Sequence, residues 1–400
     1  VTRSDLGLNT ILVQTAADLS GVLDSTKLYV IDGAIDMGTQ EVTVPATGLF
    51  LKGSTAGVSS LTSSEDAYTM FTSTASGDFS HTDLTITTSG VGSQVLDLKS
   101  NVDGLSAYNA EKIVYLNCSS LGELDNFRQG LEFNITRVGG SPSLTLTGPW
   151  LGGYRQSTTL VRALDAGMTE PLFKAGTGFL MNTRFLSDMN CDLPALAAIT
   201  DFAPANFVNS SSLILANTLI SRDGVISPDD TNLTPNIAAS DLVCAWSGNT
   251  GLSNTFVGAE AEITTEVETV ISTINVAVDI LGTWTTGDLQ HFDSPANGQL
   301  RHLGVTPVEY SVSWDFVLDG NANDEYRIDI IKDSGGVETV VHSQTRVINN
   351  LQGGGDVSYY TGTHHENLAQ NEFAFFRVAN LTSTSNCTLE LGSTMVVGAR

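Results

Sequence analysis

Short apolar runs, rather than long amphipathic stretches, are the feature that most constrains the fold of this chain. Between residues 27 and 215 these runs are three to five residues long, and they end at Gly, Ser, Asn or Asp. Runs of this length are too short for helices and match strands that are bounded by turns. Threonine and valine, which favour pleated and half-buried surfaces, are abundant, so the sequence predicts an all-β protein.

The spacing of the runs predicts a right-handed parallel β-helix over residues 27–237. The runs recur on the scale of one coil, as at 28–31, 49–51 and 84–86, and stacked coils bury one continuous core. A sandwich of hairpins would show more Asp-Gly or Asn-Gly turns than the few found here. We expect residues 1–26 to form an N-terminal cap or attachment segment, because the open end of a coil stack leaves backbone groups unpaired.

A different pattern, with longer alternating strands, begins near Val278. Apolar side chains occupy every second position from Tyr310 to Leu318, and a polar turn at 319–321 precedes another alternating stretch. Such strands, joined by turns, predict an antiparallel jelly-roll β-sandwich over residues 278–400. The 400 residues exceed the roughly 250–300 that one core usually serves, which agrees with separate domains. Residues 238–277, where the pattern loosens, are expected to form a neck or linker.

Charge and cysteine content argue against several classes of function. The formal net charge is −26, and the sequence has no basic stripe of the kind that binds nucleic acid. No apolar run approaches the roughly 20 residues that span a bilayer, so membrane insertion is not expected. Four widely spaced cysteines without a CxxC pair predict buried free thiols and no structural zinc. They are Cys118, Cys191, Cys244 and Cys387.

Several stretches resemble tail-fibre-like and spike-like virion proteins of marine bacteriophages. In the C-terminal part these stretches are 288–293 with 297–304, and 344–351 running on to 355–357; upstream they are 29–33, 125–132 and 139–142 with 150–154. The C-terminal part is also similar in strand order to C1q/TNF-like jelly rolls. The resemblance implies an intertwined homotrimer on the virion surface, an extracellular particle. Its implied partners are other virion proteins and a host cell-surface glycan or receptor.

These features predict a structural virion surface protein that attaches the particle to a host surface by binding glycan without catalysis. Exposed aromatic rings bind sugars by stacking on their apolar faces. Trp150 and Tyr154 are the predicted glycan-binding residues, because the flanking Gly and Pro residues suggest a protruding loop. Burial of the two rings between domains or protomers is the alternative. Trp284 and Trp314 are expected in the core of the C-terminal domain.

Two other functions fit the same sequence. A polysaccharide-degrading tailspike would need paired carboxylates as general acid and base or nucleophile, and Glu123, Asp125 and Glu132 are the candidates. A capsid-attached head fibre or decoration protein would need no receptor of its own. No cofactor is expected, since no Gly-rich phosphate loop or serine-hydrolase elbow occurs. No metal site is expected at 364–366 (His-His-Glu), because adjacent strand residues point to opposite faces.

Overall fold

The structure is a computed structural model that describes residues 9–101, 104–208, 211–226, 230–255, 257–287, 289–296, 298–304, 307–348 and 357–399. Residues 1–8 of the expected cap lie outside the described residues, as do Asp288, Asn297 and residues 349–356 of the resembling stretches. The chain divides into two compact units, Val1–Thr255 and Phe256–Arg400. Each unit has a hydrophobic core of its own.

Short strands build the first unit, together with 3-10 helices at Ala16–Leu19, Pro204–Asn206 and Thr231–Leu233. The strands in chain order are β1 (Asn9–Val13), β2 (Lys27–Ile31), β3 (Ala34–Asp36), β4 (Val42–Thr43), β5 (Leu49–Gly53), β6 (Ser60–Ser63), β7 (Thr69–Ser76), β8 (Phe79–Thr82), β9 (Thr85–Thr88), β10 (Gln94–Ser100), β11 (Ala107–Glu111), β12 (Val114–Cys118), β13 (Gly122–Asp125), β14 (Gln129–Phe133), β15 (Thr136–Gly140), β16 (Leu144–Thr147), β17 (Pro149–Trp150), β18 (Gly153–Arg162), β19 (Phe173–Ala175), β20 (Leu180–Met181), β21 (Arg184–Leu193), β22 (Ser212–Ala216), β23 (Leu219–Arg222) and β24 (Cys244–Ser247).

Parallel pairing between successive coils makes this unit a β-helix with three faces, as predicted. The first face contains β1, β2, β5, β8, β11, β14, β22, β24 and the N-terminal halves of β18 and β21. The second face contains β3, β6, β9, β12, β15, β23 and the C-terminal halves of β18 and β21. The third face contains β4, β7, β10, β13, β16 and β19. In the described part of the unit no helix is long and apolar enough to cross a membrane.

A two-residue corner recurs between the first and second faces. Its first residue is left-handed, with φ between 53° and 59°, and its second is buried. Left-handed backbone suits Asn and Asp better than most other side chains because their short polar groups bond locally. The corners are Asp83-Leu84, Lys112-Ile113, Asn134-Ile135 and Asn217-Thr218. They turn the chain sharply enough to close each coil while one side chain still reaches the core.

Coils of unequal length explain the irregular spacing of the apolar runs. Tyr29 pairs in register with Leu51, 22 residues later, whereas Leu51 pairs with His81, 30 residues later. The strands keep the register, and the largest part of the difference is the loop 54–59 between β5 and β6, where the previous coil has only residues 32 and 33. Sequence spacing therefore marks the presence of coils without fixing a repeat.

Antiparallel strands build the second unit. In chain order they are β25 (Gly258–Glu266), β26 (Val278–Asp279), β27 (Gly282–Thr286), β28 (Phe292–Asp293), β29 (Gln299–His302), β30 (Val308–Asp319), β31 (Glu325–Ser334), β32 (Val337–Val347), β33 (Val357–Leu368), β34 (Phe373–Asn380), β35 (Thr388–Leu389) and β36 (Thr394–Ala399). One sheet has the order β27-β25-β36-β30-β33, with β35 beside β30, and the other has β28-β29-β34-β31-β32, with β26 beside β34.

Side chains from both sheets of this unit meet in one core, as the predicted jelly-roll sandwich requires. Phe316 of β30 and Phe376 of β34 lie edge to face at 4.7 Å between ring centroids. The predicted alternation from Tyr310 to Leu318 is confirmed, because every second side chain of that strand is buried. Trp284 and Trp314 are also buried, as expected. The all-β fold class is therefore confirmed for both units.

The structure places the unit boundary inside the segment that the sequence analysis assigned to a neck. Strand β24, within residues 238–277, pairs in parallel with β22 and belongs to the β-helix. Strand β25, in the same segment, pairs in antiparallel fashion with β27 and β36 and belongs to the sandwich. The β-helix also begins at β1, which pairs with β2, inside the expected cap. Strand β1 contains the apolar run 11–13 and β24 overlaps the apolar run 242–246, but neither run reveals its pairing partner.

Candidate functional site

The two predicted glycan-binding residues do not present their rings to solvent. Trp150 is 0% exposed and Tyr154 is 1% exposed, and both belong to the β-helix core. Gly130, the in-register neighbour of Tyr154, makes room for them, because a Cβ there would lie 2.3 Å from the Tyr154 ring. The Trp150 indole N–H donates to the Thr147 carbonyl oxygen over 3.1 Å. The protruding-loop interpretation is thus corrected, since the flanking glycines serve close packing instead.

Glu132, one of the three predicted acids, is also in the core and cannot act on a substrate. It is 0% exposed and pairs with Arg137 Nη2 at 3.1 Å, and Arg137 is likewise fully buried. Gln156 Nε2 donates to the same carboxylate oxygen over 2.9 Å, and Ser187 Oγ donates to Gln156 Oε1 over 2.8 Å. Burial alone would lower the pKa of Arg137, but the charge of Glu132 raises it above its ordinary value. The group is a buried polar ladder across three coils.

Glu123 and Asp125, the other two predicted acids, lie together on the outer side of the third face. They alternate along β13 with buried Gly122 and Leu124, so both carboxylates point away from the core. Parallel register places Asp97 of β10 beside Glu123, and Lys99 beside Asp125. Two outward rows of polar side chains result, which run across the strands and lie two residues apart along each strand.

These rows line an open groove of about 420 Å³. Lys99 Nζ lies 3.3 Å from Asp125 Oδ2, and Thr147 Oγ1 donates to Glu123 Oε1 over 3.0 Å. The lining residues are Thr43, Thr72, Ser73, Thr74, Asp97, Lys99, Glu123 and Asp125. Every one of them is polar, and hydroxyl, carboxylate and ammonium groups face the same space. Carboxylates accept hydrogen bonds and hydroxyls both donate and accept, which suits a ligand with many hydroxyl groups.

The spacing of two carboxylates in the groove also bears on catalysis. Asp97 and Glu123 occupy the same row on neighbouring strands, and such strands lie about 4.8 Å apart. Two carboxyl groups roughly 5–9.5 Å apart can catalyse glycoside hydrolysis. At the shorter distances they act as nucleophile and acid, and at the longer distances they act as base and acid. The backbone register therefore allows a catalytic pair at this position.

Asp97 and Lys99 were missed by sequence reasoning, although the run that contains them was recognised. In residues 95–99 (VLDLK), Leu96 and Leu98 are buried whereas Asp97 and Lys99 are exposed. The alternation was the available signal for an outward row. The pairing of Asp97 with Glu123 on the next coil, 26 residues later, could not be assigned without the register.

Other candidate chemistry is not assembled in the described residues. They contain no group of three or more His, Cys, Asp or Glu side chains that is placed to hold a metal ion. His364 Nε2 lies 3.7 Å from Glu366 Oε2, and the His364 ring stacks on His342 at 5.4 Å. Lys332 Nζ contacts Glu366 at 3.2 Å. This cluster is an ion-paired surface of the sandwich.

Comparison with known proteins finds solved structures that match about a third of this chain over nearly their whole length. No protein-family model and no curated protein sequence matches this chain. A crystal structure of murine APRIL at pH 8.0 has 8% identity and a TM-score of 0.28, with coverage of 36% of this chain and 99% of that chain. Eiger TNF from S. frugiperda has 10% identity and a TM-score of 0.27, with coverage of 36% and 92%. The jelly-roll assignment stands on the strand pairing within this chain.

Proposed function

We propose that this protein is a virion surface component, a phage fibre or spike, that binds a host-surface glycan in the groove of the third face. The observation that carries the proposal is the groove lining, in which two rows of hydroxyls and carboxylates face one open space. A glycan chain extended along the coils would meet a new pair of polar side chains at each strand. The resemblance to phage virion proteins supports the proposed location.

A homotrimer is part of the proposal, and the first face supports it. Outward residues of this face include Leu12, Phe50, Leu131 and Phe133, with exposed fractions of 53%, 39%, 39% and 41%. Exposed apolar side chains on one face mark an interaction surface, and charged residues such as Lys52, Glu111 and Arg155 lie between them on the same face. The proposed occupant is the same face of two further copies, because a threefold axis along the coils brings equal heights together.

The binding proposal is tested with purified host-cell surface polysaccharide. We expect the double variant Asp97→Asn/Glu123→Gln to bind at least about tenfold more weakly, since each removed charge weakens a hydrogen bond to a sugar hydroxyl. Glu65→Gln, an exposed acid outside the groove, is the matched control and should bind normally. Equal binding by all three proteins would refute the groove as the site.

A glycan depolymerase is the second candidate, favoured by the register of Asp97 and Glu123. The same incubation is read for new reducing ends. Cleavage that Glu123→Gln abolishes while binding persists would make the protein an enzyme. Binding without cleavage supports attachment alone. If the protein neither binds nor cleaves the polysaccharide, a capsid-attached fibre or decoration protein is favoured.

The trimer is tested by light scattering in solution. We expect three times the 42.3 kDa mass of one chain for the unaltered protein, and one chain mass for Leu131→Glu/Phe133→Glu. Leu116→Glu on the second face, where Leu116 is 36% exposed, is the control and should stay trimeric. A monomeric unaltered protein would overturn the assembly.

A further inference from the structure

A small pocket in the sandwich unit lies at a fork in the edge of a sheet. Strand β34 pairs with β29 through Phe373–Phe375 and with β26 through Arg377 and Val378, on the edge opposite β31. The two partner strands diverge around Phe376, and the gap between them is a pocket of about 190 Å³. This volume is below the roughly 300–1,000 Å³ of pockets for drug-sized ligands. One substituent of a sugar ring, or one ring, fits it.

The indole of Trp284 forms part of the pocket wall and carries a donor without a partner. Trp284 is 8% exposed, and its Nε1 is buried with no hydrogen bond within the described residues. A buried donor without a partner destabilises the folded chain, so a bound acceptor would recover that energy. Gly298 lines the same pocket, and the space that a Cβ there would fill lies 2.9 Å from Nε1. Only a glycine therefore fits where this wall of the pocket packs against the indole nitrogen.

The other walls divide into an apolar and a polar side. Phe375, Phe376 and Leu281 supply apolar surface, while the Gln299 amide and the Asp279 carboxylate supply polar groups. Asp279 is 61% exposed at its side chain and is held by Arg377 Nε at 2.6 Å. The arrangement offers a donor in the pocket, apolar walls around it and hydrogen-bonding groups in the lining.

We propose that this pocket binds the acetamido group of an N-acetylated sugar. The acetyl carbonyl oxygen accepts from the Trp284 indole N–H, and the methyl group packs against the phenylalanine walls. Sugar hydroxyls bond to Gln299 and Asp279. This site belongs to the sandwich unit and is separate from the groove of the β-helix, so it deepens the proposed function by naming a class of sugar that the protein reads.

The test follows the indole N–H signals of the four tryptophans by NMR in the intact protein. N-acetylglucosamine should shift one indole signal, the one that is absent from Trp284→Phe, and glucose should shift none. We expect Trp284→Phe to weaken N-acetylglucosamine binding about tenfold, the usual effect of one buried hydrogen bond. Trp150→Phe, which removes an indole that already has a partner in the other unit, is the control and should leave binding unchanged.

Two further arms keep the outcome decisive. If Trp284→Phe does not fold, Gln299→Leu keeps the indole and should still weaken binding, while the comparison of the two sugars is made on the unaltered protein. Asp97→Asn/Glu123→Gln should retain the shifted indole signal, which separates this site from the groove. Absence of a shift with N-acetylglucosamine, or an equal shift with glucose, would overturn the proposal.

Discussion

Removing one charge from the buried Glu132–Arg137 pair should destabilise the β-helix far more than removing both. The substitution Glu132→Gln keeps the size of the side chain but leaves the Arg137 guanidinium uncompensated. That group is 0% exposed and lies against the Phe173 ring at 4.8 Å, and among the described residues its further acceptors are the Pro142 and Leu172 carbonyl oxygens. Arg137→Met leaves the reverse defect, a buried carboxylate that keeps the Gln156 amide as a donor but has lost its counter-charge.

The magnitude follows from the complete burial of both partners. Breaking a buried ion pair from one side costs about 3–5 kcal/mol, whereas replacing the pair by uncharged groups of similar volume is often neutral. We therefore expect each single variant to lose about 3–5 kcal/mol of unfolding free energy. The double variant Glu132→Gln/Arg137→Met should lose less than either one, which corresponds to a large coupling energy in the double-mutant cycle.

Hydrogen exchange read by mass spectrometry in urea is the suitable assay, because peptides report on each unit separately. Peptides from β14 and β15 should lose protection at lower urea in the single variants. Peptides from β30 and β33 in the sandwich should be unchanged and serve as the internal reference. The argument that each charge compensates the other would be refuted if a single variant lost less than about 1 kcal/mol of unfolding free energy. It would also be refuted if the losses of the two single variants added up in the double variant.

Three further predictions concern titration. Burial opposes ionisation of Asp324, but hydrogen bonds from Ser383 and neighbouring polar groups hold its pKa at about 2. The sandwich should therefore lose on the order of 2 kcal/mol of unfolding free energy as pH falls from about 4 to 2. The variant Asp324→Asn should lack this loss in acid-unfolding curves. Burial lowers the pKa of His81 to about 3, so the unfolded chain binds a proton at this residue at higher pH than the folded chain does. The stability of the β-helix should therefore fall as pH decreases from about 6.5 to 3, and His81→Gln should remove this dependence from the acid-unfolding curves. Burial raises the pKa of the Cys118 and Cys387 thiols to about 11 and 12, and a thiol reagent at pH 8 should label the four buried cysteines only after unfolding; rapid labelling of the folded protein would contradict this.

The fold was predictable because burial in a strand alternates with period two. The runs around Leu96 and Leu213 gave the β-helix, and the alternation from Tyr310 gave the sandwich. The limits were not predictable at Cys244–Ser247, because the apolar run 242–246 does not reveal the parallel pairing with β22 that makes it part of the β-helix. The corners were available in retrospect, as an Asp or Asn followed by an aliphatic residue at 83–84 and 134–135.

The candidate site was predictable only in part, because it depends on contacts between coils. Glu123 and Asp125 were found as acids two residues apart, a spacing that puts both on one side of a strand. Asp97 became their neighbour through the register of β10 and β13. Trp150 was misplaced because Gly and Pro were interpreted as marks of a loop, whereas Gly130 on the previous coil creates the space that buries the aromatic rings.

The outward rows of the three faces have a consequence for how such a protein changes over generations. Along each strand the pleat separates outward side chains from the core, and exposed positions usually tolerate substitution within about 0.5 kcal/mol. Mutations can therefore accumulate in the row that contains Asp97 and Glu123 while the inherited coil stack and the first face stay the same. A lineage can thus diversify one face with little loss of foldability.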